Sequence, residues 1–253
     1  MPNYVRNEIQ MKGIADMPIF HDKGDEYGEH AIDFDKIVPM PEELDVPSGS
    51  AMGEAIAWYM TERGTADPAR YDELANAVPS IEGCVWMRHF KEDGYMASLV
   101  KDARETVKRH PEEHDKLYEA GHRYVENFRK YGYGTWYDWC CENWGTKWNA
   151  QDSYAVDDGT VWFSTAWDPA LPIAKKLSEM RLNTEVILRW ADEDIGYNTG
   201  CATFLNGKGK VKRPANGSNE ALALYVHLWG EDDCLEQDMD GNWHIIDEDD
   251  EAC

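Results

Sequence analysis

Strand-like alternation occurs at the two ends of this chain and stops in between. Val5, Asn7, Ile9 and Met11 point one way, and Arg6, Glu8, Gln10 and Lys12 the other. That is the period of a half-buried strand, ended by Gly13. After a short connection through Pro18, residues 31–38 read as a second strand, stopped by Pro39 and Pro41. The next stretch, about 90 residues, has helical period throughout. Ser48 or Ser50 caps a helix carrying Met52, Ile56, Tyr59 and Met60. Tyr71, Leu74 and Val78 suggest a short second helix. Met96, Leu99, Val100, Ala103 and Val107 mark a third, and Leu117, Gly121, Tyr124, Val125 and Phe128 a fourth.

Strand patterns return after the aromatic cluster at 136–148. Residues 149–156 and 160–167 flank the turn signal Asp157-Asp158-Gly159. Asp168 followed by Pro169 predicts the start of a helix carrying Ile173, Ala174, Leu177 and Met180. Residues 186–191, 197–205, 222–229 and 243–246 read as four more strands, the last pair joined through Asp240-Gly241. Mixed order with antiparallel hairpins argues for an α+β fold.

With 25 Lys and Arg against 49 Asp and Glu, the formal net charge is −24, which excludes a basic nucleic-acid grip across the whole surface. Apolar residues make up 42% of the chain and aromatics 12%, with 11 Trp, so it has the material for a packed core. No stretch approaches the roughly 18 apolar residues that span a bilayer, and the first residues contain no apolar signal region. The expectation is a protein of a cytoplasm, with no membrane partner. The six cysteines, Cys84, Cys140, Cys141, Cys201, Cys234 and Cys253, contain no Cys-x-x-Cys pair and are expected to be mostly free thiols.

Four pieces of the chain belong together: the opening Met1-Pro2-Asn3-Tyr4 with Asn7; Phe34-x-x-Ile37-x-Pro39-Met40-Pro41-Glu42-Glu43-Leu44; the run from Glu142 through Asn143-Trp144-Gly145-Thr146-Lys147-Trp148-Asn149 to Ala150; and Phe163-x-Thr165-Ala166-Trp167-x-Pro169 before a helix. On these the chain resembles the Api92-like proteins of bacteriophages and conjugative plasmids, also called the YubB ferredoxin-like family. The resemblance implies a ferredoxin-like (β-α-β-β-α-β) antiparallel sheet, with a large helical insertion and extra C-terminal strands added here. It also implies a mobile-element accessory protein acting in a bacterial host cytoplasm, and it carries no accepted reaction. The expected division is a split core at 1–45 and 143–230, a helical insertion at 46–142 and an acidic C-terminal segment at 231–253.

Several constellations are candidates for chemistry. His110-Pro111-Glu112-Glu113-His114 matches the inverted zincin order, but proline places His110 outside the helix that His114 joins, so no metal is expected. The basic run Gly207-Lys208-Gly209-Lys210-Val211-Lys212-Arg213 lacks the order of a phosphate loop and reads as a solvated hairpin tip open to a local anion contact. Cys140-Cys141 has no partner histidine in a recognisable signature. No cofactor and no catalytic residue are assigned, and the chain is read as a non-enzyme. Two binding surfaces are expected. One is aromatic: Trp144, Lys147, Trp148, Asn149 and Trp167. The other is acidic: Glu231, Asp232, Asp233, Glu236, Asp238, Asp240, Asp247, Glu248, Asp249, Asp250 and Glu251. After Arg213 no Lys or Arg occurs, and Trp243, Ile245 and Ile246 sit among the acids as in a folded strand. The function expected is to bind and block a basic or nucleic-acid-binding host protein, such as a defence complex, by imitating nucleic acid, with no direct contact to nucleic acid. The alternative is a ferredoxin-like domain that binds a nucleotide or oligonucleotide near 144–148 or 208–213, with or without turning it over.

Overall fold

The computed structural model describes residues 2–21, 31–62, 95–157 and 159–246. The chain divides into two compact units, one made of 1–39 with 140–253, the other of 40–139.

The first unit is built on a six-stranded antiparallel sheet. Its strands are β1 (Tyr4–Met11), β2 (Gln151–Asp157), β3 (Thr160–Ala166), β4 (Val186–Asp192), β5 (Gly200–Leu205) and β6 (Lys208–Lys212), in spatial order β2-β3-β1-β4-β5-β6. β1 is central, with Asn7 opposite Phe163 on one side and Trp190 on the other. Reading β1, β2, β3 and β4 as the core strands, β1 lies between β3 and β4, and a helical crossover links β3 to β4. This is the ferredoxin-like arrangement of an α+β fold, extended past β4 by the β5–β6 hairpin. Asn206 and Gly207, both at positive φ, make the tight turn of that hairpin.

Helices cover both faces. α1 (Phe34–Ile37) and α6 (Leu171–Met180) lie on the side to which Val5, Asn7, Ile9 and Met11 point. α7 (Asn219–Trp229) lies on the opposite side, where Arg6 donates to the Leu228 carbonyl and the Trp229 indole to the Ala191 carbonyl. A small hairpin, β7 (Leu235–Gln237) with β8 (Trp243–Ile245), follows α7.

Three expected elements differ. Residues 31–38 are not a strand: Ile32 makes one bridge with Phe20, and Asp33 then caps α1 by accepting from the Asp35 N–H at 3.0 Å. Residues 222–229 are helix α7. The Ser218 hydroxyl caps its start, and Leu222, Tyr225 and Leu228 form its buried stripe. Nearly every residue from 221 to 229 is apolar, so period 2 and period 3.6 could not be told apart there. The crossover helix starts at Leu171 rather than after Asp168, and Pro172 is the proline of its first turn. The Asn7 and Thr165 side chains hold the Asp168–Ala170 backbone out of helical geometry.

The second unit is helical. α2 (Ala51–Glu62), α3 (Tyr95–Arg109) and α4 (His114–Tyr131) enclose a core of Met52, Ile56, Tyr59, Met60, Leu99, Tyr124, Val125 and Phe128. Gly121 lets α4 approach α2 closely, since a Cβ there would lie 2.0 Å from the Ala55 carbonyl oxygen. α5 (Trp136–Asn143) follows. The expected helix at Tyr71, Leu74 and Val78 lies outside the described residues. Among the described residues no helix is long and apolar enough to cross a membrane.

Candidate functional site

The run 143–150 is mostly architecture. The Trp144 indole is buried, donates to the Val38 carbonyl at 2.9 Å and meets the Phe34 ring edge-on at 6.0 Å. Gly145 has φ +85°, and a Cβ there would collide with Pro172 and the Pro169 carbonyl. The Thr146 hydroxyl donates to the Ala166 carbonyl at 2.9 Å and accepts from its N–H at 3.0 Å, which completes the hydrogen bonding of the last residue of β3. Asn149 accepts from the Phe34 N–H at 2.8 Å and donates to the Asp33 carboxylate at 2.7 Å. Trp144 and Asn149 are therefore spent on packing and capping.

Lys147 and Trp148 are different. The Lys147 ammonium lies 3.7 Å from the centroid of the Trp148 ring and 3.9 Å from that of Trp167. A cation held against two indole faces is an attractive arrangement. Trp167 is 41% exposed and sits at φ +71°, a left-handed conformation that is rare for a bulky residue. Its N–H donates to the Asn3 carbonyl at 2.9 Å, and its carbonyl accepts from the Asn198 amide at 3.0 Å. The Asn198 side-chain oxygen in turn accepts from Arg213 at 3.0 Å, and the Arg213 guanidinium lies 4.9 Å over the Trp190 ring. Nearby, the buried Asp192 carboxylate accepts from the Asp194 N–H at 3.0 Å and the Asn3 amide at 3.3 Å. Lys147, Trp167, Asn198 and Arg213 thus meet at one end of the sheet. Asn198 falls inside the strand expected at 197–205, whereas β5 starts at Gly200; Asn and Gly close together at 198–200 were the available turn signal.

On the face under α7 a second group forms around Glu8. Its carboxylate is 2% exposed, pairs with Arg189 and accepts from His227 Nε2 at 2.8 Å. Trp162 packs on the His227 ring at 5.6 Å, and Tyr154 stacks on Trp162. The group neutralises a charge that strand alternation had placed in solvent. Cys201 lies opposite Arg189 in the ladder, and burial holds its thiol above the ordinary range. Burial, with Cys141 beside it, pushes Cys140 up to about 12, so it stays a thiol rather than a nucleophilic thiolate. Cys140, Cys141 and Cys201 are not in disulfides, whereas Cys234 is disulfide-bonded. His110 faces Glu112, while His114 faces Asp115 and Glu62, and Pro111 opens a 3-10 turn between the two histidines.

The acidic end is folded through residue 246. Leu235 and Trp243 pack with Leu222, Tyr225 and Leu228 of α7. Glu231, Asp233, Glu236 and Asp240 are exposed, as are Met239 at the hairpin tip and Ile245. Asp232 and Asp238 have structural work instead. Asp232 accepts from the Cys234 N–H at 3.0 Å. Asp238 accepts from the N–H groups of Asn242 at 2.8 Å and Asp240 at 2.9 Å, and from His244 at 3.0 Å. The Asn242 N–H above all, then His244, holds the Asp238 carboxyl below the usual carboxylate range. Asp247, Glu248, Asp249, Asp250 and Glu251 lie outside the described residues.

Comparison with known proteins fits this fold. Residues 143–227 match the family model of the ferredoxin-like domain in Api92-like protein. This part of the chain is similar to an Api92-like domain. The crystal structure of a protein Api92 from Yersinia pseudotuberculosis aligns with a TM-score of 0.34 at 10% identity, covering 85% of this chain and 99% of that one. No curated protein matches. The Api92-like match runs from the end of α5 into α7 and so includes Lys147, Trp148, Trp167, Asn198 and Arg213. β1 and the acidic hairpin fall outside the matched Api92-like segment, although β1 is the central strand of its sheet.

Proposed function

We propose that the protein is a non-catalytic accessory protein of a bacteriophage or plasmid that docks on a basic, nucleic-acid-binding protein of the bacterial host and blocks it. The docking face is the acidic C-terminal hairpin, which competes with nucleic acid for a basic groove. The reading is carried by one observation: the hairpin is anchored on α7 through Leu235 and Trp243, so its exposed carboxylates stand on ordered backbone. Carboxylates already held in place lose less freedom on binding than those of a disordered tail. Met239 and Ile245 add exposed apolar surface among the charges, and methionine is enriched in interface cores. The charges steer encounter and select a basic partner.

The test is capture from a bacterial host followed by competition. Wild-type protein is expected to retain a basic partner that duplex DNA displaces. The variant with Glu231, Asp233, Glu236 and Asp240 all changed to Lys is expected to retain none of it. Equal capture by both proteins, or a captured partner that DNA does not displace, overturns the reading.

A further inference from the structure

We propose that Lys147, Trp148, Trp167, Asn198 and Arg213 form a nucleotide-binding site at the end of the ferredoxin-like sheet, separate from the acidic hairpin. The base would stack on the exposed Trp167 indole, and the phosphate would pair with Lys147 and Arg213.

The first argument is charge. The chain carries 49 acidic residues against 25 Lys and Arg, so carboxylates outnumber cations. Among the described residues neither Lys147 nor Arg213 pairs with a carboxylate; Lys147 is held by two indole faces instead, and Arg213 by the Asn198 amide and the Trp190 ring. Both cations stay available to an anion, and lysine and arginine are the side chains that bind phosphate best. The second argument is the aromatic surface. Trp167 keeps a large ring exposed while its backbone is fixed at a strained φ by Asn3 and Asn198. A smaller residue would fit that backbone at lower cost, so the ring itself is what the strain supports. Exposed indoles are the usual platforms for bases. The third argument is unmet hydrogen bonding. The Thr199 hydroxyl, next to Asn198, and the Trp190 indole N–H, under Arg213, are buried without a hydrogen-bond partner among the described residues.

The size of the ligand follows from the same charges. Two cations match the phosphates of one nucleotide, whereas a long strand would run along a chain of net charge −24. The test is calorimetric titration of the full chain with AMP, the single strand dT6 and inorganic pyrophosphate. AMP is expected to bind saturably, with dT6 no tighter per site and pyrophosphate at least tenfold weaker. If dT6 binds more than tenfold tighter than AMP, the base-and-phosphate chemistry stands and its source is a strand. Lys147→Met and Arg213→Met are each expected to weaken AMP tenfold or more while melting within a few degrees of wild type. Trp167→Gly, which suits the left-handed backbone, is expected to do the same. No binding of AMP or dT6 at millimolar concentration overturns the proposal, as does pyrophosphate binding as tightly as AMP or variants that bind like wild type. These residues lie outside the hairpin, so failure here leaves the docking reading intact.

Discussion

Glu8 shows how one side chain reports on an element that is distant in sequence. Alternation along β1 assigns Glu8 to solvent with Arg6 and Gln10, yet α7 covers that side of the strand, and the carboxylate is met there by Arg189 and His227. Removing the charge leaves Arg189 without its partner under a helix. Glu8→Gln is therefore expected to cost about 1–3 kcal/mol, measured as a shift in the urea midpoint at constant slope. A change below about 0.5 kcal/mol would mean that the pair is solvated and contributes little. Asn7, on the other side of β1, is buried but fully used. It donates to the Val5 carbonyl and Thr165 hydroxyl and accepts from the Ala170 N–H, which sets the turn that presents Trp167. Lys147, Trp148 and Trp167 stand out in the sequence because they lie in short recognisable runs. Their meeting with Asn198 and Arg213 does not, because ladder pairing across the sheet decides it.

Among the elements, those with clean alternation were legible: β1, the β2–β3 hairpin and β4. Short or wholly apolar segments were not, because their caps decide what their period cannot; Asp33 and Ser218 turned two expected strands into helices. Two predictions belong at this scale. In the helical unit, Gly121→Ala would gain about 1 kcal/mol of helix propensity but bring a Cβ to 2.0 Å from the Ala55 carbonyl oxygen. The clash is with backbone, so overpacking should win by a net 1–3 kcal/mol or so, read as a lower melting temperature; a rise would show that α2 and α4 can separate freely. In the acidic hairpin, the folded state holds the Asp238 carboxyl below its ordinary value, so the ionised form is the stabilising one. Its contribution is complete above the unfolded value of about 3.9 and is lost as pH falls further. Exchange of the Asn242 amide proton is expected to speed up, after correction for intrinsic pH dependence, as pH drops below about 4. Asp238→Ala should show fast exchange at every pH. An Asn242 amide equally protected at pH 3 and pH 7 would remove Asp238 from the turn's support.

For the whole molecule, the charge imbalance makes stability and association respond to salt in opposite directions. At −24, like charges repel across the folded surface more than in an expanded chain. Salt screens that repulsion, with a Debye length near 30 Å at 0.01 M and about 8 Å at 0.15 M. The melting temperature should therefore rise between these two concentrations. Docking on a basic partner should respond the other way: its association rate should fall steeply over the same range while dissociation changes little, since exposed rim charges act mainly on encounter. Replacing Glu231, Asp233, Glu236 and Asp240 with Lys tests both effects at once. These residues are exposed and lie outside the packed contacts of Leu235 and Trp243. Stability should stay within about 0.5 kcal/mol per site, or improve slightly at low salt as crowding among the carboxylates is relieved. The association rate should drop and lose most of its salt dependence. The measurement is stopped-flow association with the captured partner and thermal melting, for both proteins at both salt concentrations. If the reversed variant associates at the wild-type rate, the acidic face serves solubility, and the aromatic and cationic end of the sheet becomes the place to look for this protein's partner.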